Sequence, residues 1–196
     1  MMISLDQILA LRRQVRKQRR QLSFHQQLFA ERAVIQRLLR LAEIQHAQKI
    51  GLYLSDFGEI STQKLIYALR KRQKKIYIPM ICNMNQQLVW TELTLHHLRS
   101  QRLARHRLGM QQIMASRAKD ISMLDVVIMP LVLFDGLGHR AGMGGGFYDR
   151  TLSRHPHRPI RLGLAHDFQQ VDGILATQAW DQSLDLVCTP TTLFRF

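Results

Sequence analysis

Residues 140–150 carry the strongest chemical signal in the chain: Arg140-Ala141-Gly142-Met143-Gly144-Gly145-Gly146-Phe147-Tyr148-Asp149-Arg150. Glycines let a backbone approach a ligand closely and take φ > 0 without strain. Successive free N–H groups in such a loop form an anion-binding nest. A helix beginning near Tyr148 points its positive end at the same place. The flanking arginines add charge, and Asp149 offers a carboxylate for Mg²⁺. Asp149 also reads as a helix-capping carboxylate, and the two roles are compatible. The chemistry this pattern suits is the binding of a nucleotide's phosphates with their metal. For the loop by itself, a tight turn with surface arginines is the plainer alternative.

The loop is not a Walker A motif, because no Gly-Lys-Ser/Thr follows, and its third glycine comes too early for Gly-x-Gly-x-x-Gly. Two further acids stand in loop-like contexts: Glu59 in Ser55-Asp56-Phe57-Gly58-Glu59-Ile60-Ser61-Thr62, and Asp181 in Ala179-Trp180-Asp181. Each reads by default as an exposed loop acid. The histidines show no metal-ligand spacing, and His155-Pro156-His157 reads as a surface turn. There is no Gly-x-Ser-x-Gly elbow and no nucleophile paired with a base. Cys82 and Cys188 lie in apolar, strand-like contexts, which reads as buried free thiols in a reducing cytoplasm.

The elements that must position these groups are legible in outline. Ser4-Leu5-Asp6-Gln7 and Ser23-Phe24-His25-Gln26 are capping-box patterns, each opening a helix. The first helix runs to about Gln21 with Ile8, Leu11 and Val15 at helical spacing, and the second to about His46. Lys49 to Leu54 reads as a strand, followed by a polar loop and a helix from Thr62 to about Arg72. Lys75 to Ile78 reads as a strand stopped by Pro79. Leu88 to Thr91 reads as a strand, whereas residues 94–124 show no pattern that fixes their structure. Asp125 to Met129, ended by Pro130, is an apolar run expected of a strand buried on both faces. Another apolar stretch, Leu131 to Phe134, leads into the glycine loop, a helix from about Tyr148 to Arg154, and strands at Ile160–Ala165 and Leu186–Cys188. Strands alternating with helices predict a mostly parallel sheet covered on both faces. Ligands bind such sheets beyond the carboxyl ends of the strands, where loop 136–147 falls.

The 196 residues, 46% of them hydrophobic and five of them proline, are expected to form one domain spanning 1–196. No apolar run approaches the roughly 20 residues that span a membrane, and the Arg-rich start carries helix signals rather than those of a transit peptide. The net charge of +14 is uneven: residues 1–75 hold 16 Lys/Arg against 5 Asp/Glu, the remainder 12 against 9. The excess lies in Arg12, Arg13, Arg16, Lys17, Arg19 and Arg20 and in Arg70 to Lys75. Such runs read as solvated helix faces that attract polyanionic small molecules. Nucleic acid is a weaker expectation, because no aromatic platform is interleaved with the charge.

Taken together, these segments resemble the 5-formyltetrahydrofolate cyclo-ligase (methenyltetrahydrofolate synthetase) family. The resemblance is carried by Met129-Pro130-Leu131-Val132-Leu133-Phe134-Asp135 and by Gly138 to Arg150, against the family's Pro-x-x-x-Phe-Asp and Gly-x-Arg-Leu-Gly-x-Gly-x-Gly-Tyr-Tyr-Asp-Arg. It extends to Leu11-Arg12, Tyr53 to Thr62, Ile78-Pro79, Gln169 and Trp180-Asp181. The resemblance implies a three-layer α/β sandwich with a mostly parallel central sheet, similar to ribose-5-phosphate isomerase and CoA-transferase domains. It implies ATP bound by Arg12, Arg140, Gly142, Met143, Gly144, Gly145, Gly146, Phe147 and Tyr148, and Mg²⁺ held by Asp149 and Asp181. It places the folate against Leu54, Glu59 and the stretch Met143 to Phe147. The groups expected to carry the chemistry are Arg140, Tyr148 and Glu59, with Glu59 binding and orienting the pterin's nitrogen donors.

Five residues depart from the family pattern. A lysine that touches ATP falls on Ile8, the family's Leu and first Tyr of the loop become Ala141 and Phe147, and a Glu-Pro pair appears as Gln111-Gln112. The expected reaction is ATP-dependent closure of 5-formyltetrahydrofolate, free or polyglutamylated, to its 5,10-methenyl form by a cytoplasmic monomer. The competing expectations are a basic RNA- or ribosome-associated protein that keeps the fold, and an α/β enzyme handling a sugar phosphate or CoA ester.

Overall fold

A computed structural model describes residues 1–82, 84–100, 104–105, 111–113 and 118–196. In chain order the elements are β1 (Met2–Ile3), α1 (Leu5–Gln21), α2 (Phe24–Leu38), α3 (Ala42–His46), β2 (Lys49–Gly51), α4 (Gln63–Lys71), β3 (Lys75–Cys82), β4 (Gln87–Glu92), α5 (Leu95–Ser100), β5 (Ala104–Arg105), β6 (Gln111–Gln112), β7 (Val126–Pro130), β8 (Leu133–Phe134), β9 (Arg140–Ala141), α6 (Phe147–Leu152), β10 (Ile160–Leu164), β11 (Ile174–Leu175), β12 (Leu186–Cys188) and β13 (Leu193–Arg195). Both capping boxes form as expected: the Ser4 and Ser23 hydroxyls accept from Gln7 and Gln26 backbone N–H groups, and each glutamine side chain accepts from the serine N–H in return.

The central sheet has seven strands in the order β13-β12-β10-β7-β2-β3-β4. Its five inner strands pair in parallel, and β13 and β4 close the edges antiparallel. Alternate side chains point to opposite faces of a strand, so each strand feeds two cores. Ile50, Ile76, Val126, Ile128, Leu162 and Leu186 face Val34 and Leu38 of α2, Ile44 of α3 and Leu65 and Leu69 of α4. Tyr77, Trp90, Val127, Met129 and Val187 face Ile121, Leu124 and Leu152 of α6. Helices thus flank a mostly parallel sheet, as expected, and β7 is buried on both faces. A third cluster seats α1 on the β8–β9 hairpin through Ile8, Val15, Val132, Leu133 and Ala141.

Several boundaries differ from expectation. The second helix ends at Leu38 rather than His46; the chain turns at Leu39–Arg40 and restarts as α3 after an extended Leu41. Beyond that turn Leu41 and Ile44 both enter the core. Strand β3 runs through Pro79 to Cys82. Pro79 lies opposite Trp90, whose backbone N–H and C=O bond outward to Lys119. Pro79 therefore occupies a non-hydrogen-bonded pair, and its missing N–H costs the ladder nothing. Of the segment 94–124, the described parts form α5, the antiparallel pair β5 and β6, where Gln112 accepts from the Ile81 N–H, and a single 3-10 turn at Ile121–Met123; residues 101–103, 106–110 and 114–117 lie outside the described set. Both cysteines are free, Cys188 buried and Cys82 half-buried. No helix among the described residues is long and apolar enough to cross a membrane.

Numbered along the chain, the parallel strands read 2-1-3-4-5 across the sheet, so the direction of progress reverses between β2 and β7. Ligands bind open α/β sheets at such a reversal, beyond the carboxyl ends of the strands. The chain leaving β2 carries Glu59, and the chain leaving β7 carries the β8–β9 hairpin and the glycine loop. Asp135 fixes that hairpin. Its carboxylate is fully buried and accepts from the N–H groups of Leu137, His139 and Leu175 and from His139 Nδ1, at 2.9 to 3.0 Å. Asp135→Ala strands three backbone donors and the His139 ring N–H and is expected to cost about 3 kcal/mol of stability. Urea denaturation measures it, and a loss under about 1 kcal/mol would show that water replaces the carboxylate.

Candidate active site

The loop after β2 is held by its own polar groups. Thr62 Oγ1 donates to the Tyr53 carbonyl and accepts from Ser55 N–H, and Ser55 Oγ accepts from Thr62 N–H. Glu59 Oε2 accepts from Asp56 N–H at 3.1 Å, and Ile60 plugs into the core. Gly58 has φ 72°, and a Cβ there would stand 2.5 Å from the Arg19 carbonyl oxygen of α1, so only glycine permits this approach. From the other side, His166 Nε2 stands 3.1 Å from the Gly58 carbonyl oxygen. Burial keeps the His166 imidazole below its ordinary pKa, which favours the neutral ring with Nε2–H donating.

Glu59 is therefore not the exposed loop acid of the default reading. Burial pushes its carboxyl up to about 7, and the Arg19 guanidinium, 3.8 Å away, pulls back toward the ionised form. The Tyr53 and Tyr148 phenols both lie within electrostatic reach of Glu59 and are raised above their ordinary value, first by burial and then by that carboxylate. Their hydroxyls are buried without a hydrogen-bond partner, as are Arg19 Nε, Arg19 Nη2 and Arg12 Nε. Buried polar atoms in folded proteins are normally paired. Three of these orphans, Tyr53 OH, Tyr148 OH and Arg12 Nε, lie about one carboxylate and one glycine loop, where a polar ligand would supply the missing partners.

The glycine loop is the other wall. Gly144 and Gly146 take φ 96° and 63°, and Gly146 caps α6. Arg12 reaches in from α1, its Nη1 4.0 Å from where a Gly144 Cβ would lie, and it is attracted to Asp181. Arg140 Nη2 donates to Asp149 Oδ1 at 2.8 Å, and its Nη1 donates to the Gln182 carbonyl. Gln182 N–H also donates to Asp149 Oδ1, which brings the neighbouring Asp181 beside the same loop. Asp181 Oδ2 caps the turn at Gln178 N–H. The second flanking arginine does not face a ligand: Arg150 donates to the Gly145 and Gln86 carbonyls and lies over the Phe147 ring, bracing the loop from outside.

Both carboxylates are hard oxygen donors, and their hydrogen bonds engage Oδ1 of Asp149 and Oδ2 of Asp181, leaving one oxygen of each for a ligand. Mg²⁺ is commonly held by one or two carboxylates together with substrate phosphates, so this pair fits it. Among the described residues no group of three or more His, Cys, Asp or Glu side chains gathers to hold a metal unaided.

The expected site residues thus converge: Arg12, Arg140, Tyr148, Asp149 and Asp181 around the loop, and Glu59 across from it, with Tyr148 electrostatically linked to both Glu59 and Arg140. Met143 is exposed on the loop, and Leu54 is half-buried against the core beneath Tyr53. Ile8 is a core residue of the third cluster. Gln169 is structural, donating to the Leu131 and Val132 carbonyls. Two members were missed. Tyr53 opens the stretch Tyr53 to Thr62 that carries the resemblance, but no role was assigned to it. Arg19 did: it falls four residues after Val15 and eleven after Ile8, on the buried stripe of α1, yet it was counted with the solvated basic run.

Comparison with known proteins agrees in length and fold. Residues 6–190 match the model of the 5-formyltetrahydrofolate cyclo-ligase family. A 5-formyltetrahydrofolate cyclo-ligase of Haemophilus influenzae is 37% identical over 177 residues, covering 89% of this chain and 92% of its own. The enzyme of that name from Escherichia coli K12 is 34% identical over 93% of this chain and its own full length. A solved Aquifex aeolicus 5,10-methenyltetrahydrofolate synthetase superposes with a TM-score of 0.80 at 26% identity, over 95% of this chain and 91% of that one.

Proposed function

The chain belongs to the 5-formyltetrahydrofolate cyclo-ligase family, and we propose from that premise how its residues close 5-formyltetrahydrofolate to 5,10-methenyltetrahydrofolate with conversion of ATP to ADP and phosphate. The observation that supports the site is the set of orphaned buried groups, Arg12 Nε, Tyr53 OH and Tyr148 OH, between Glu59 and the glycine loop.

The formyl oxygen on folate N5 attacks the γ-phosphorus of ATP, and ADP leaves. The amide becomes an iminium-like carbon bearing a phosphate leaving group. N10 attacks that carbon and loses its proton, and phosphate departs with the formyl oxygen. No side-chain nucleophile is required; the protein positions two substrates and offsets charge. Arg12, Arg140 and the backbone from Gly142 to Tyr148 bind the ATP phosphates. Asp149 and Asp181 would hold Mg²⁺, which neutralises phosphate charge when bound. Glu59 accepts from the pterin's nitrogen donors, with Leu54 and Met143 to Phe147 lining the folate and the Tyr148 hydroxyl between the two substrates. Ile8 makes no phosphate contact, and Arg12, one helical turn on, takes the charge-bearing role. The exposed face of α1, where Arg13, Arg16, Lys17 and Arg20 line a shallow depression, suits the acidic glutamates of a polyglutamylated substrate.

Mixing protein, 5-formyltetrahydrofolate, Mg²⁺ and ATP is expected to give rising methenyl-folate absorbance that is absent without ATP. Folded protein that gives no ATP-dependent signal would refute the assignment.

A further inference from the structure

The side chain of Arg19 is 1% exposed, in a helix where Asp6, Arg13, Lys17 and Arg20 face solvent. It makes one hydrogen bond, Nη1 to the Leu131 carbonyl at 3.3 Å, and its Nε and Nη2 have no partner. That carbonyl already accepts from Gln169 Nε2 at 2.8 Å, so it does not need the arginine. A buried, under-bonded guanidinium is a poor source of stability, which directs attention to its charge. The charge faces Glu59: Nη1 to Oε1 is 3.8 Å, too long for a hydrogen bond and close enough for strong attraction at a buried site. The spacing is set by backbone, because Gly58 abuts the Arg19 carbonyl and His166 holds Gly58 from behind.

We propose that Arg19 is a positioning residue for the reaction, holding the Glu59 carboxylate ionised and aimed at the cleft it shares with Tyr53 and Tyr148. The proposal rests on the assignment of Glu59 to the pterin. The groups facing Glu59 are Arg19 from α1, Asp56 from its own loop, Tyr53 from the chain leaving β2 and Tyr148 from α6, with His166 neutral behind Gly58. Arg19 is the cation among these, and the neighbouring Asp56 raises the Glu59 carboxyl further. A protonated Glu59 donates at one oxygen and can no longer accept two pterin N–H groups. Burial lifts the carboxyl to about 7 even with Arg19 present. Folate binding is then expected to weaken as pH falls through neutrality, and loss of Arg19 moves that limb upward.

The test measures the dissociation constant of 5-formyltetrahydrofolate between pH 5.5 and 9.5 by calorimetry, for wild type, Arg19→Met, Arg19→Gln and Arg19→Lys. In parallel, carbon-13 carboxyl resonances are titrated in the ligand-free protein, with Glu59 assigned through Glu59→Gln. Both neutral variants are expected to shift the limb and the Glu59 titration up by about one unit or more, giving roughly tenfold weaker binding at pH 7 that recovers by pH 9. Arg19→Lys should restore most of the wild-type profile, and Arg19→Met should move no limb in a Glu59→Gln background. A folded neutral variant whose Glu59 titrates as in wild type overturns the proposal. So does a variant weakened equally at every pH, which marks a purely structural arginine. If Arg19→Met does not fold, Arg19→Gln carries the comparison. Should wild type bind no folate at any pH, the functional reading falls, and the carboxyl titration still decides the role of Arg19.

Discussion

Glu59→Gln is expected to lower kcat/KM for 5-formyltetrahydrofolate by about 10²- to 10³-fold, the scale of losing a buried charged acceptor built for substrate donors. The same change is expected to stabilise the folded protein by about 2 kcal/mol at pH 8. The folded carboxyl titrates near 7, and an unperturbed one near 4.5. Between those values the folded protein keeps a proton that the unfolded chain has lost, so stability falls as pH rises through the window. Above 7 the full cost of an ionised buried acid is present, opposed in part by Arg19. Gln resembles the protonated acid and escapes that cost; near pH 4.5 and below, both states of the wild type are protonated and the gain disappears. Urea melts at pH 4.5 and pH 8 measure this, and a stability difference independent of pH would show that Glu59 is not held in an unfavourable ionisation state. Opposite signs in activity and stability distinguish a functional acid from a structural one.

Asp149→Asn is expected to lower kcat by about 10³-fold and to raise the Mg²⁺ concentration that half-saturates turnover, with little loss of fold. The choice of Asn follows from the geometry. Asp149 Oδ1 accepts from both Arg140 and Gln182 N–H, and an amide oxygen keeps those bonds while removing the charge. Alanine would instead strand the Arg140 side chain, 6% exposed, and breaking such a pair costs on the order of 3–5 kcal/mol. A turnover rate and Mg²⁺ dependence like those of wild type in Asp149→Asn would leave Asp149 as the partner of Arg140 alone.

Much of this site was readable before any coordinates. The glycine loop and Asp149 stand out by residue type and local order, Arg12 and Asp181 enter only through the family resemblance, and the capping boxes of Ser4 and Ser23 fix the helices by chemistry confined to four residues. What was not readable depends on distant partners. Glu59 looks like any loop acid until Arg19 and the Tyr53 and Tyr148 phenols are placed around it, from 6 to 89 sequence positions away. Pro79 signals a strand end locally, but the pairing of Trp90 with Lys119 excuses its missing N–H. The two-residue strands β1, β8, β9 and β11 are too short to show any period. Arg19 is the instructive case: the helical repeat that buries Ile8 and Val15 buries it as well, and the density of neighbouring charge concealed this.

The reversal of strand order between β2 and β7 also divides labour along the gene. Under the proposed function, residues 53–62 supply Leu54 and Glu59 to the folate, and 140–149, with Arg12 and Asp181 from elsewhere, supply the phosphate contacts and, through Met143 to Phe147, part of the folate wall. The two stretches share a rigid base and no residues. Substitutions confined to the first should alter recognition of the small molecule while the nucleotide contacts stay in place. New specificities on this scaffold can therefore arise by changing one short cassette, with the phosphate-handling machinery inherited intact.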